Sequence, residues 1–296
     1  MISIIIVVKD DLSICRTLKQ LTIISKTENA EIIVIDSSKG KLDFLRNKFS
    51  NVKWLSFSHK KRKEITIPEQ RNLGLKTSIG STIIFIDAGC SIKKSWLKEL
   101  IQPLQDKKEY IVYGATKIVG SVWTQEKFLT KIYHRGYLSE APTNNLAVRR
   151  EVFNKIGLFD ESFEYGSDVD LCWRAIEKGY RILYLPKAII SYLDTSFLHD
   201  VRRSFMYGRA RIRLYKKYKK KILEIFNNEL ISIVYPLFIV LLPLSFLFRF
   251  YYLFLLIPMI KNIRNKPIQS VCCHLVYGLG ILFELMLILI KQFNFR

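Results

Sequence analysis

Acidic residues are scarce in this chain: 26 Asp and Glu stand against 47 Lys and Arg, for a formal charge of +21 over 296 residues. Such an imbalance suits partners that carry phosphate, whether nucleic acid, anionic lipid or a diphosphate substrate. Cysteine is sparse as well. The five (Cys15, Cys90, Cys172, Cys272 and Cys273) are odd in number and follow no CxxC or Cys/His ligand spacing, so they read as reduced, structural thiols of a cytosolic domain. His59, His134, His199 and His274 share no ligand spacing either, and read as surface or packing residues. No internal repeat and no low-complexity linker is found. A cleavable leader is not expected. The opening run Met1-Ile-Ser-Ile-Ile-Ile-Val-Val has no basic segment ahead of it and breaks at Lys9-Asp10-Asp11, as a buried strand would.

What the chain does have is apolar residues. They make up 49% of the sequence and crowd into its last quarter, which argues against a plain nucleic-acid binder. Up to about residue 115, β-branched runs alternate with segments of helical spacing. Strands are expected at 2–8, 31–36, 51–57 and 81–87, and helices at 10–26, 69–79 and 95–104. Continuous apolar strands separated by helices imply an α/β fold, a mostly parallel sheet covered on both faces. Ligands of such sheets sit beyond the carboxyl ends of the strands, where Asp36 and Asp87 stand. Residues 110–190 are mixed, with strands near 110–117 and 181–185 and helices at 150–156 and within 163–180.

The last third has a different character. Residues 202–221 carry ten Lys and Arg and no acid, interleaved with Phe205, Tyr207, Ile212, Leu214, Tyr215 and Tyr218, as in a basic amphipathic helix. Residues 230–260 and 271–290 are two apolar runs near the roughly 20 residues that a membrane span requires. Both flanks, 216–221 and 261–266, are basic and belong on the cytoplasmic side by the positive-inside bias. That favours a hairpin, re-entrant or in-plane path for 230–260, with two plain crossings as the alternative. The expected organisation is a catalytic domain over 1–215, a basic juxtamembrane linker over 216–228, and membrane-anchoring helices over 229–296.

Three sequence blocks carry chemistry. Asp36-Ser37-Ser38 closes the second strand; its carboxylate can accept from a base or ribose, or cap its own turn. Glu69-Gln70-Arg71-Asn72-Leu73-Gly74 precedes the strand that ends at Asp87-Ala88-Gly89-Cys90. An Arg and an Asn at a helix start can meet an anion, and the strand brings a carboxylate close by. The longest block runs from Thr143-Asn144-Asn145-Leu-Ala-Val-Arg149-Arg150 through Gly157-Leu-Phe159-Asp160-Glu161 to Gly166-Ser167-Asp168-Val-Asp170-Leu-Cys-Trp-Arg174.

These blocks, in this order, resemble the family-2 glycosyltransferases of the GT-A fold, over about residues 1–215. The resemblance implies a Rossmann-like domain with a nucleotide-sugar donor held by Asp36, Arg71, Asn72 and Asp87. It implies an acceptor side that includes Asn145, Asp170 and Arg174, and Asp168 as the general base that takes the proton of the acceptor hydroxyl. Asp168 can equally cap the helix that follows it, and the two roles can coexist. Asp170 and Arg174, at i and i+4, can pair along that helix. The family's strand ends in Asp-x-Asp, whose last carboxylate holds a divalent cation, Mg or Mn. Here Gly89 takes that place, so a metal would rest on Asp87, another carboxylate or the diphosphate, or basic side chains would neutralise the charge instead. Ser167 replaces a frequent Glu.

The processive synthases of this superfamily carry Gln-x-x-Arg-Trp after the base, and this chain has no such motif. Transfer of a single sugar, with inversion, to a lipid-linked or membrane-proximal acceptor in cell-surface polysaccharide or glycolipid synthesis is therefore expected. The place would be the inner (cytoplasmic) membrane, the catalytic domain facing the cytoplasm and the basic segment on an anionic surface. No nucleic-acid partner is expected, because the tail explains the basic flank; the same tail offers a surface for a homo-oligomer. The competing expectation is a catalytically silent membrane module that binds nucleotide-sugars or partners, motivated by Gly89 and Ser167.

Overall fold

The computed structural model describes residues 1–58, 66–119, 132–133, 136–193, 196–223, 230–248, 250–255, 259–260 and 266–293. His59, the Lys60-Lys-Arg-Lys63 run, Trp123, His134, linker residues 224–228 and connector residues 261–265 lie outside them. The described residues form two compact units, one ending at Leu193 and one following it.

The first unit is built on strands β1 (Ile2–Val8), β2 (Ala30–Asp36), β3 (Lys53–Ser56), β4 (Thr82–Ile86), β5 (Ser91–Ile92), β6 (Ile111–Val119), β7 (Ile132–Tyr133), β8 (Tyr137–Leu138), β9 (Asn145–Arg149) and β10 (Ile182–Leu193). Their order is β3-β2-β1-β4-β9-β6-β10-β8-β7, with β5 on β10. The β-branched, continuously apolar strands β2 and β4 flank β1 and each pairs with it in parallel, and β3 joins β2 in parallel. The sheet is not parallel throughout. β9 runs antiparallel between β4 and β6, and β10 rejoins β6 in parallel with an irregular register between Leu185 and Ile190.

Alternation along the strands sends side chains to two cores. On one face Ile4, Ile6, Val34 and Ile84 pack against Leu18 and Leu21 of α1 (Ile14–Thr27) and Trp96, Leu97 and Leu100 of α4 (Trp96–Gln105). On the other, Ile5, Phe85 and Leu146 pack against Leu75 of α3 (Ile67–Thr77), Phe153 of α5 (Arg150–Ile156) and Leu171 of α6 (Ser167–Glu177). A short α2 (Asp43–Lys48) lies between β2 and β3. Gly74 lets α3 approach the sheet, since a Cβ there would lie 2.5 Å from Cγ2 of Ile5. The Arg150 guanidinium closes the end of α3, donating to the carbonyls of Ser78 (2.9 Å) and Gly80 (2.6 Å), where a helix leaves acceptors unpaired.

The second unit holds α7 (Phe197–Lys217), α8 (Ile231–Val240) and α9 (Pro267–Phe293). Of the two apolar runs expected as candidate spans, only the second forms a helix of spanning length among the described residues. The first breaks into α8, with Pro236 inside it, and 3-10 turns at Leu242–Phe246 and Tyr251–Leu255. Pro243 stands at the start of the first turn, where a missing N–H and a fixed φ stop an α-helix from continuing.

Candidate active site

The carboxyl ends of β1, β2 and β4 are tied into one rim. Asp10 N–H donates to Ser38 Oγ at 2.7 Å, and Ser37 N–H to the Val8 carbonyl at 2.9 Å. The loop after β4 is held to α1: Thr17 Oγ1 donates to the Cys90 carbonyl (3.1 Å) and Ile92 N–H to Gln20 Oε1 (2.8 Å).

Asp36 lies within that rim and is only 3% exposed. One carboxylate oxygen accepts from Ser38 N–H at 2.8 Å, the other from the Trp54 indole N–H at 3.1 Å. It therefore closes its own turn, and Trp54 is the partner that no local pattern marks. Asp87 follows β4 and is partly exposed. Burial pushes the neighbouring Cys90 thiol far up; the negative charges of Asp87 and, more weakly, Asp11 act in the same direction. Asp11, from the loop after β1, thus shares the surroundings of Asp87. Its side chain is held in a local turn, accepting from Ser13 N–H (2.8 Å) and Ser13 Oγ (2.6 Å).

That turn explains Gly89. Its φ is +79°, and a Cβ on it would lie 2.3 Å from Ser13 Oγ and 3.2 Å from Ser13 Cβ. The position that would carry the second carboxylate is filled by the β1 loop, in a backbone conformation that favours glycine. Among the described residues no group of three or more His, Cys, Asp or Glu side chains is placed to hold a metal ion. The donors of the described residues do not by themselves make a complete cation site. Asp87 is the one carboxylate the motif supplies, and the remaining ligands would have to come from a substrate diphosphate and water.

The second and third blocks meet through Asn72. Its amide pairs with the Phe159 peptide, Oδ1 accepting from the N–H and Nδ2 donating to the carbonyl, both at 2.9 Å, and Nδ2 also donates to Glu161 Oε1. Asn72 is buried and serves as a clamp across 87 residues of sequence. The clamp places the Phe159 ring under Arg71, whose guanidinium carbon stands 5.5 Å from the ring centroid.

Arg71 in turn acts on Asp168, in the first turn of α6 after the left-handed Gly166 (φ +81°). Burial raises the Asp168 carboxyl above the ordinary carboxylate range, the Arg71 charge draws it partly back, and the Glu140 carboxylate adds a smaller push upward. Asp168 Oδ1 accepts from Val169 N–H at 2.9 Å. A recessed carboxylate with raised proton affinity, beside a cation that can meet an anionic leaving group, has the attributes of a general base. Glu140 is a second acid near Asp168 that the sequence blocks do not mark, because it comes from the segment ahead of β9.

The other acceptor-side residues lie deeper. Asn145 has no exposed surface; Nδ2 donates to the Ala115 and Ala188 carbonyls and Oδ1 accepts from the Trp96 indole N–H, all at 2.9 Å. Asp170 is fully buried and paired with Arg174 at 2.8 Å, so the i, i+4 pair forms. Arg174 also donates to the Ile156 and Leu158 carbonyls, binding α6 to the end of α5. Asn72, Asn145, Asp170 and Arg174 are thus engaged in hydrogen bonds and ion pairs within the protein, while Asp87 keeps part of its surface exposed. A cavity of about 360 Å³ lined by Met1, Ser81, Lys107 and Arg150 opens at the amino ends of β1 and β4, the opposite end of the sheet.

Comparison with known proteins bears on the family and the fold. The chain is 27% identical over 157 residues to the pre-mycofactocin glycosyltransferase of Mycobacterium tuberculosis, 47% of this chain and 33% of that one. It is 24% identical over 152 residues to the glycosyltransferase AglE of Haloferax volcanii, 49% of this chain and 50% of that one. The chain thus spans a third to a half of the length of these relatives. Among solved structures it resembles the mannosyltransferase PcManGT of Pyrobaculum calidifontis in complex with GDP-Man and Mn2+, with a TM-score of 0.58 and 14% identity over 73% of this chain and 64% of that one. S. aureus TarS gives a TM-score of 0.52 at 16% identity, over 70% of this chain and 39% of that one. The sequence profile of glycosyl transferase family 2 matches residues 3–165, more than half of the chain, and the protein is a glycosyltransferase of that family with the GT-A fold.

Proposed function

We propose that the enzyme moves one sugar, with inversion and without processive chain growth, from a nucleotide diphospho-sugar to a lipid-linked or membrane-proximal acceptor. The observation that carries this reading is the meeting of Arg71, Phe159 and Asp168 through the Asn72 clamp. The Asp168 carboxylate takes the proton of the acceptor hydroxyl as its oxygen attacks the anomeric carbon. The bond from that carbon to the diphosphate oxygen breaks, and the nucleoside diphosphate leaves with the bonding pair. Arg71 holds the diphosphate and stabilises its growing charge. Asp87 contacts the sugar or ribose, and Asp36 shapes the base end of the pocket through its turn and Trp54. A divalent cation, if bound, would supply charge neutralisation at the diphosphate, with Asp87 as its protein ligand.

Attachment to the cytoplasmic face of the inner membrane is part of the proposal. Support comes from the apolar α9 and the run of Lys and Arg between 202 and 221. A cell-surface polysaccharide or glycolipid is the product class that fits such a location.

The test is transfer and binding on the full-length protein in detergent. Asp168→Asn should lose about 10²- to 10⁴-fold in turnover, the usual worth of a general base, while its affinity for UDP, GDP or dTDP stays near that of the parent. Arg71→Ala should lose nucleotide affinity. Unchanged turnover in Asp168→Asn sinks the assignment of the base. Gly89 and its filled surroundings favour one other reading, a catalytically silent nucleotide-sugar-binding module. Sustained product formation by the purified protein disposes of it.

A further inference from the structure

The second unit holds an ion cluster in an otherwise apolar place. Glu284, on the longest apolar helix among the described residues, is 5% exposed. Two arginines of α7 reach it: Arg209 Nε donates to one carboxylate oxygen at 2.8 Å, and Arg213 Nε to the other at 2.7 Å. The helices touch backbone to backbone beside this cluster. A Cβ on Gly208 would lie 2.1 Å from the Tyr277 carbonyl oxygen, and one on Gly280 2.1 Å from that of Phe205. Two further polar groups of α9 are answered by α8, Tyr277 by Ser232 and His274 by Tyr235, both at 3.0 Å. Phe283 packs on Phe205 and Arg209 of α7, and the face of α9 turned away exposes Leu279, Leu285, Met286, Leu289 and Ile290.

The position of the contact along α9 decides what the helix can do. The backbone approaches and the ion cluster with α7 fall at Tyr277, Gly280, Ile281, Phe283 and Glu284. Before them lie residues 267–276, and after them the apolar stretch 285–290, which ends at Lys291 and Gln292. A span across the hydrocarbon takes roughly 20 residues at 1.5 Å each. Neither part reaches that length, so α9 cannot cross a bilayer while its crossing with α7 stays outside the hydrocarbon. Placing the crossing inside would draw in a helix that carries Arg202 and Arg203 ahead of the contact and Lys216 and Lys217 behind it. Charged groups at that depth are strongly disfavoured.

We propose that the C-terminal unit is a monotopic anchor, with α9 lying in one leaflet, clamped to α7 by Arg209, Glu284 and Arg213. Its occupant is the acyl region of a leaflet rich in anionic lipid. The outer face of α9 and the exposed Leu237, Phe246 and Leu247 enter the acyl chains, and the Lys and Arg of α7 other than Arg209 and Arg213 meet the headgroups. Both ends of α9 then face the side of the catalytic domain. This inference rests on the membrane attachment proposed above.

Single cysteines report it in a Cys15→Ser, Cys272→Ser background, whose other three thiols are buried. Lys94→Cys marks the catalytic side, and Lys266→Cys and Gln292→Cys mark the two ends of α9. All three are expected to react with a membrane-impermeant maleimide in inverted vesicles, and none in intact cells. Gln292→Cys, with Phe293→Cys as a second reporter at the same end, reacting only in intact cells overturns the proposal. Flotation and a carbonate wash of the same samples test the attachment separately. Recovery in the soluble fraction refutes membrane binding itself and the monotopic reading with it. Retention with membranes but opposite-side labelling refutes monotopy alone.

Discussion

Asp168 carries a raised proton affinity because burial outweighs the pull of Arg71. The folded protein therefore binds this proton more tightly than the unfolded chain does. Between the ordinary carboxylate range and the folded value, stability falls as pH rises, and the loss persists above that window. Asp168→Asn escapes this penalty and keeps an acceptor for Val169 N–H. Its melting temperature should exceed that of the parent at pH 7, and the two should converge in acid. A variant that melts lower at pH 7 contradicts the account of the shift. In activity the sign reverses, because only the ionised base can accept a proton. The acid limb of kcat should lie above the ordinary carboxylate range, and Glu140→Gln, which removes a like charge, should move it toward lower pH. Gly89 makes a separate prediction. Gly89→Asp restores the family's carboxylate but sets a side chain at positive φ against Ser13, so it should cost about 1–3 kcal/mol of stability. Nucleotide affinity measured with and without Mn²⁺ should show no gain from metal. A clear gain means that the β1 loop gives way.

At the scale of elements, the motifs work in pairs. The Arg-Asn-x-Gly block on α3 gives one residue to each neighbour: Asn72 to the Phe159 loop, Gly74 to β1, and Arg71 to the surroundings of Asp168. α7 and α9 form another pair. Removing one partner of a buried ion pair strands the other charges and costs about 3–5 kcal/mol. Arg213 keeps 36% of its side-chain surface, so about 3 kcal/mol is expected for Glu284→Gln. The loss should appear as early proteolysis at the C-terminal helices in detergent, with nucleotide binding by the first unit intact. Unchanged protease resistance means that the glycine contacts alone hold the pair.

For the whole molecule, charge and hydropathy are segregated along the chain. The +21 balance and the ten Lys and Arg between 202 and 221 predict that vesicle binding has two components. Attraction to anionic headgroups, at about 1 kcal/mol per basic residue near the surface, weakens as salt shortens the screening length. Insertion of the exposed apolar face does not. Flotation with anionic vesicles should fall steeply from low to high salt and level off above zero, and neutral vesicles should give the plateau alone. Complete release by salt shows that nothing is inserted.

The sequence by itself determined the strands β1, β2 and β4, the amphipathic helices between them, and the blocks around Arg71, Asp87 and Asp168. All of these are written in local periods of two and 3.6 residues or in short ordered motifs. Tertiary structure alone decided that β9 runs against its neighbours, that Asn72 binds Phe159, that Glu140 stands near Asp168, and that Glu284 closes on Arg209 and Arg213. Each of these joins residues far apart in the chain, and local periodicity carries no record of such a partner. It also decided which motif residues are spent on contacts within the protein. Asn145 and Asp170 look from the sequence like residues of the acceptor side, but a buried amide or carboxylate must spend its hydrogen bonds inside the protein, and there Asn145 joins β6, β10 and α4 while Asp170 pairs with Arg174.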